Sequence, residues 1–324
     1  MASDSVLICP LDWGLGHATR CIPLINRLLK DEKEVIICAD GLSGALLMQE
    51  FPQLPFEKLK GMDIKYSASL PFFVNIALRS PAFMASIRNE NESINQLVKK
   101  YNPKMILSDN RYGVYHSEAK SILISHQIFP IVPSILKPLV YHKLNNFFRS
   151  FDEIWVPDHE TENNLSGELS HQKQLSQKFK FIGPLSRFES ACDNHKGFKW
   201  KYLGIVSGPE PYRTKLINQL IALFQLSDEP SIIISGSPEK NQIQNIKNIE
   251  IHPHLSTKEM KETICSSENI ICRSGYSSIM DLEVLKRKAY LIPTPGQTEQ
   301  EYLAKFQAHN RRHFLFNNDL TKNS

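Results

Sequence analysis

The chain is 324 residues long, 41% hydrophobic and 22% charged. That length suits two domains with cores of their own, and the composition excludes a disordered or fibrous protein. Lysine and arginine number 38 against 34 acidic residues, a net charge of +4; so small an excess excludes an obligate nucleic-acid binder, yet leaves room for a local basic patch facing a phosphate or an anionic membrane.

Met1-Ala2-Ser3-Asp4 lacks the basic region and apolar stretch of a signal peptide. No apolar run approaches the roughly 18 residues of a membrane span. The first predicted strand is 6–9. It runs into Gly14-Leu15-Gly16-His17-Ala18-Thr19-Arg20, which opens a helix with Cys21, Leu24, Ile25 and Leu28 at helical spacing. Gly14 and Gly16 let the backbone approach a ligand, and the helix N-terminus favours negative charge. The imidazole of His17 is expected at the C-terminal edge of the sheet. A dinucleotide fingerprint would want a glycine at Thr19, but Asp40, after the second strand at 35–39, stands where a ribose-binding acid would.

Further strands are predicted at 105–107, 122–124 and 154–156. Asp109, Asn110 and Arg111 follow one of them and His126 another, again at a sheet's C-terminal edge. Residues 128–151 mix Ile135, Leu136, Leu139 and Val140 with Lys137, Lys143 and Arg149, followed by Phe147 and Phe148. They read as a surface helix packed on the sheet, whose basic, aromatic character also fits a membrane interface. The polar stretch 188–197 reads as a linker between domains 1–187 and 188–324. The strand rhythm then restarts at 203–206, 232–234, 249–251, 270–272 and 290–292. Short apolar strands alternating with helices predict an α/β chain with two Rossmann-like parallel sheets, facing each other across a ligand-binding cleft. The six cysteines form no C-x-x-C pair and read as free thiols in a reducing, cytoplasmic compartment, arguing against a disulfide scaffold or a zinc site.

Two motifs of the second half carry chemistry. Ser274, Gly275, Ser277 and Ser278 crowd a helix start and offer hydroxyls and free N–H groups to a diphosphate, with Asp281 one turn beyond Ser277 for a ribose hydroxyl. Glu299 and Gln300 follow a Pro/Gly turn, and a carboxylate beside an amide suits sugar hydroxyls.

These motifs resemble the donor-binding half of the two-domain GT-B glycosyltransferases, family 28 above all, which includes the N-acetylglucosaminyltransferase of peptidoglycan lipid synthesis. Ser274 through Asp281 matches the family's spacing from small-residue turn to acid, with Asp where Glu is usual. Glu299-Gln300 matches its acid–Gln pair, with Leu303 where an Asn often follows. Gly14–His17 matches the N-terminal loop whose histidine faces the cleft. Gly208 and Arg213 lie in a segment like the family's loop that closes on the diphosphate, and His254 and Leu255 in one like the border of the nucleobase.

The resemblance implies a glycosyltransferase that takes a hexose or N-acetylhexosamine from a nucleotide donor, UDP above all, to a glycan or lipid-linked acceptor, with inversion. The C-terminal domain would hold the donor. The N-terminal domain would hold the acceptor, with Gly14, Gly16, Asn110, Arg111 and His126 in its loops. No cofactor is implied beyond the UDP-sugar co-substrate. The chain has no Asp-x-Asp motif, and a metal-independent reaction is expected, with peripheral membrane contact at the cytoplasmic face. His17 is the expected general base, oriented by Asp109. A sugar-nucleotide 2-epimerase, an NAD-dependent oxidoreductase and a non-catalytic sugar-nucleotide sensor remain as alternatives.

Overall fold

A computed structural model describes residues 4–12, 14–61, 80–172, 175–193, 197–237, 242–310 and 312–315. Residues 1–3 of the leader reading and 194–196 of the predicted linker lie outside them. The chain divides into two compact units, Met1–Leu185 and Ser186–Ser324. Among the described residues no helix is long and apolar enough to cross a membrane.

In the first unit the strands β1 (Ser5–Pro10), β2 (Glu34–Ala39), β3 (Phe56–Lys58), β4 (Met105–Asp109), β5 (Lys120–Ile124), β6 (Glu153–Val156) and β7 (Phe179–Phe181) form a parallel sheet in the order β3-β2-β1-β4-β5-β6-β7. All six residues of β1 are buried, as befits an apolar run at the centre of a sheet covered on both faces. Helix α1 (Leu15–Lys30) turns Ala18, Cys21, Ile22 and Ile25 inward, and each isoleucine contributes about 1.5–3 kcal/mol of burial. Helices α2 (Gly41–Glu50), α3 (Ser80–Tyr101) and α4 (Lys137–Arg149) complete the layers. Strand order reverses between β1 and β4, where Pro10 pairs with Asp109. The loops that follow these two strands therefore leave the sheet side by side, as at the ligand-binding switch point of open α/β sheets.

The second unit repeats the plan. Strands β8 (Trp200–Ile205), β9 (Ser231–Ile234), β10 (Gln244–Ile246), β11 (Ile249–His252), β12 (Ser267–Arg273), β13 (Tyr290–Ile292) and β14 (Phe314–Leu315) lie in the order β10-β11-β9-β8-β12-β13-β14. Only the pairing of β10 with β11 is antiparallel among the described strands. Helices α5 (Tyr212–Phe224), α6 (Thr257–Cys265), α7 (Tyr276–Leu285) and α8 (Thr298–His309) cover the sheet, α6 opening on a Ser256–Glu259 capping box. The reversal falls between β8 and β12, and β13 adjoins β12. The loops after β8, β12 and β13 thus share one edge.

Two sequence readings need correction. The polar stretch 188–197 is not a free linker over its described part. Phe188, 4% exposed, enters the core of the second unit with Trp200 and Leu282, and the Cys192 N–H donates to Leu285 O. Glu189, Ser190 and Asp193 lie outside and Phe188 inside, a distinction composition averages away. The cysteines are not all free either: Cys192 is disulfide-bonded to Cys265, across 73 positions. Sequence spacing cannot show such a pair, because the fold brings the two Cα atoms to 5.4 Å. Cys9, Cys21, Cys38 and Cys272 are free and buried.

Candidate active site

The N-terminal constellation begins at Gly14, whose φ of 141° only glycine adopts readily and which starts α1 without a side-chain cap. In the first turn of α1 the His17 N–H donates to Gly14 O at 3.3 Å. His17 is half-buried in that turn, its side chain 17% exposed. Its Nδ1 lies 3.1 Å from Asp109 Oδ2, although the residues are 92 positions apart. The parallel register accounts for the meeting: Leu11 N–H donates to Asp109 O at 3.1 Å, fastening one loop to the other. With Nδ1 turned to the carboxylate, Nε2 is the ring nitrogen left for a ligand.

Arg20, one turn beyond His17 on α1 and 2% exposed, completes the group. Its Nε donates to Asp109 Oδ2 at 2.7 Å and one Nη to Asp109 Oδ1. The same Nη lies 2.7 Å from His17 Nδ1, and the other 3.4 Å from His126 Nδ1. Burial works against the Asp109 carboxylate, but Arg20 and His17 outweigh it and hold its pKa below the ordinary value. Burial, with Arg20 beside it, lowers the His17 pKa against the opposing pull of Asp109. Near neutral pH the site therefore holds a neutral imidazole beside a buried, paired carboxylate, the state a proton acceptor needs. Sequence reading missed Arg20; its signal was the three-residue step from His17, which puts both on one face of α1.

The other expected loop residues divide. Asn110 sits in the left-handed region at φ 56°, with its Oδ1 buried and unpartnered among the described residues. His126 is buried against Arg20. Arg111 is corrected: it is 1% exposed, pairs with Glu90 at 3.1 Å and donates to the carbonyls of Pro10, Leu59 and Lys60. A guanidinium so occupied braces the fold and is closed to a substrate. Asp40 caps α2 by accepting from Gly41 N–H and lies 3.5 Å from Lys58, a helix-capping role where the dehydrogenase reading wanted a ribose contact.

In the second unit the three loops of the switch-point edge carry the expected donor residues. Gly208 follows β8 at φ 107°. Arg213 bonds Glu210 at 2.9 Å and the Gly236 carbonyl at 3.1 Å. Gly275 is the residue before α7 and offers no side-chain cap, so Ser277 and Ser278 lie in an uncapped first turn. Ser274 donates its hydroxyl to Gln300 O at 2.8 Å, tying this loop to α8. The Gln300 amide accepts from Thr294 N–H at 2.9 Å and donates to Gln297 at 2.5 Å, bracing the loop after β13. Glu299 precedes it in the first turn of α8. His254 is half-buried after β11, while Leu255, 8% exposed, packs in the core and not at a ligand edge, a second correction.

The Asp281 carboxylate accepts from Ser186 Oγ at 2.7 Å and lies 3.7 Å from Arg187 Nε. Burial raises its pKa against those partners. A ribose would have to share it with the opening segment of the unit. Thr294, which sequence reading also missed, is 1% exposed with its Oγ1 unpartnered among the described residues. That hydroxyl lies 3.9 Å from where a side chain on Gly208 would begin.

Residues 215–322 match the glycosyltransferase family 28 C-terminal domain. An uncharacterized glycosyltransferase of Methanosarcina mazei is 25% identical over 314 residues, covering 89% of this chain and 80% of that one. A second, from Methanosarcina acetivorans, is 22% identical over 89% of this chain and 79% of its own. Among solved structures, the glycosyltransferase SnogD from Streptomyces nogalater superposes with a TM-score of 0.63 at 11% identity, over 97% of this chain and 87% of that one. The spinosyn rhamnosyltransferase SpnG, complexed with thymidine diphosphate, reaches 0.62 at 14% identity, covering 96% and 86%. MurG of Acinetobacter baumannii reaches 0.54 at 13%, covering 97% and 85%.

Proposed function

We propose that this chain, a glycosyltransferase of GT-B fold that uses a nucleotide-sugar donor, moves a hexose or N-acetylhexosamine from UDP to a hydroxyl of a glycan or lipid-linked acceptor, with inversion and without a divalent metal. The observation that carries this reading is the placement of His17, its Nδ1 on the buried Asp109 carboxylate and its pKa lowered by burial and Arg20. As the acceptor oxygen attacks the anomeric carbon from the face opposite the diphosphate, its proton passes to Nε2. The bond from the anomeric carbon to the diphosphate breaks, and UDP departs with the electron pair. Asp109 holds the ring and stabilises the imidazolium that forms.

The departing charge falls to the uncapped first turn of α7, with Gly275, Ser277 and Ser278, and to the Gly208 loop. A helix N-terminus supplies there the stabilisation a metal would supply elsewhere. Glu299 reads the sugar hydroxyls from the first turn of α8, beside the loop that Gln300 braces. In the first unit, Ile135 at 87%, Leu139 at 56% and Leu136 at 37% exposure stand beside Lys137 and Lys143, which supports contact with an anionic membrane bearing a lipid-linked acceptor.

The decisive experiment is His17→Ala assayed with UDP-sugars and excess EDTA. Turnover should fall by about 10²–10⁴-fold with UDP affinity retained, and the wild type should keep its rate in EDTA. Wild-type turnover by the variant overturns the base assignment. Epimerised sugar formed without any acceptor overturns transfer itself.

A further inference from the structure

We infer that Arg20 is the positioning residue that keeps His17 in its proton-accepting form, by closing a guanidinium fork on Asp109 and lying against the imidazole. The inference rests on the reading of His17 as the base and adds a third member to that pair. A buried carboxylate touching an imidazole would by itself favour the imidazolium, because the opposite charge stabilises the protonated ring. A histidine protonated at neutral pH cannot take a proton from an acceptor. Asp109 alone would thus orient His17 and disable it together.

The geometry resolves that conflict. Both Asp109 oxygens are engaged by Arg20, Oδ2 from Nε at 2.7 Å and Oδ1 from Nη2. The carboxylate still reaches His17 Nδ1 at 3.1 Å. The same Nη2 stands 2.7 Å from Nδ1; in the tautomer that leaves Nε2 bare, Nδ1–H donates to Asp109 Oδ2, so Nη2 faces the ring as a fixed positive charge and not as a donor. Three ionisable groups face His17: Asp109 at the end of β4, Arg20 on its own helix, and His126 after β5. Burial opposes the imidazolium most, Arg20 and then His126 add to it, and Asp109 favours it. Arg20 also lies 3.4 Å from His126 Nδ1, so the guanidinium touches each of the other three members of the cluster. Arginine suits the task because its planar fork holds two carboxylate oxygens and stays charged at any working pH.

The test is the titration of His17 by NMR of its ring Cε1–H, assigned by loss of the signal in His17→Ala, alongside the pH dependence of kcat/KM. In the wild type the ring should titrate below 6.5, with the acidic limb of kcat/KM at the same pH. Arg20→Gln should raise the ring pKa by about 1–3 units and move that limb up with it. Arg20→Lys, which keeps the charge, should leave both nearer the wild-type values. An unchanged ring pKa in folded Arg20→Gln overturns the inference, since a merely structural arginine would alter stability and leave the titration in place. If the ring pKa rises and the limb stays, Arg20 sets His17 as inferred and it is the reading of His17 as the base that fails. Should Arg20→Gln not fold, Arg20→Met, which keeps the length of the side chain without its charge, takes its place with the same outcomes, and a wild-type ring that titrates at or above 6.5 overturns the inference in either case.

Discussion

Thr294 holds a buried hydroxyl that the described residues leave without a partner, and an unpaired buried polar group costs stability that a ligand can return. Thr294→Val keeps the shape and removes the hydroxyl. It should leave the urea midpoint unchanged or raised, and weaken nucleotide-sugar binding by about 0.5–1.5 kcal/mol in calorimetry. Unaltered binding would place this hydroxyl outside the donor site. Asp281 separates two roles in the same way. Its carboxylate ties Ser186 and Arg187, so Asp281→Ala should lower stability by about 1–3 kcal/mol; a loss of UDP affinity without a loss of stability would instead restore the ribose contact. Acid acts on the His17 cluster with one sign. His17 and Asp109 both have folded pKa values below their ordinary ones, so each contributes stability that is present above the unfolded value and lost as pH falls through the folded one. The urea midpoint of the first unit should therefore decline as pH falls from below 6.5 to below 3.8, and less so in Asp109→Asn.

At the scale of elements, the 3₁₀ turn Ser134–Leu136 and α4 present two faces. Phe148 is buried against Phe179, as the packed-helix reading expected, while Ile135, Leu136 and Leu139 stay exposed. Anionic vesicles should bind the protein and salt should release it, because basic residues near a charged surface are screened within about 10 Å at 0.1 M. Ile135→Ser with Leu139→Ser should reduce binding in a flotation assay without moving the melting temperature. Binding unaffected by both changes would assign any membrane affinity to another surface. The central strands were legible because each is a short, continuous apolar run. β3, β7, β10 and β14 were not: Phe56–Lys58 and Gln244–Ile246 carry polar residues, and an edge strand needs little apolar content. His17 and Asp109 were legible as partners because strand ends of a parallel sheet share an edge. Arg20, Arg111 and Thr294 were not, since hydrogen-bond partners of buried polar groups depend on side-chain packing that periodicity does not encode.

At the scale of the whole molecule, the two units differ in how they are held. Core packing and the buried Arg20–Asp109 and Arg111–Glu90 pairs hold the first among its described residues. The second adds a covalent tie, Cys192 to Cys265, which closes a loop of 73 positions that runs from β8 through α6. Closing so long a loop constrains the unfolded chain and is worth about 2–4 kcal/mol. The tie also fixes the segment that delivers Phe188 to the core and Ser186 to Asp281 on α7. Two units with separate cores can unfold in separate steps. Urea unfolding followed by Trp200 fluorescence for the second unit and Trp155 for the first should show the consequence. Cys192→Ser, or a reductant, should lower only the Trp200 transition, by about 2–4 kcal/mol. UDP should recover part of that loss by binding the folded unit, about 2.7 kcal/mol at 100 times its dissociation constant. A Trp155 transition that falls equally would mean the units unfold together. A Trp200 transition that does not move would mean the bond adds nothing to a unit already held by its core.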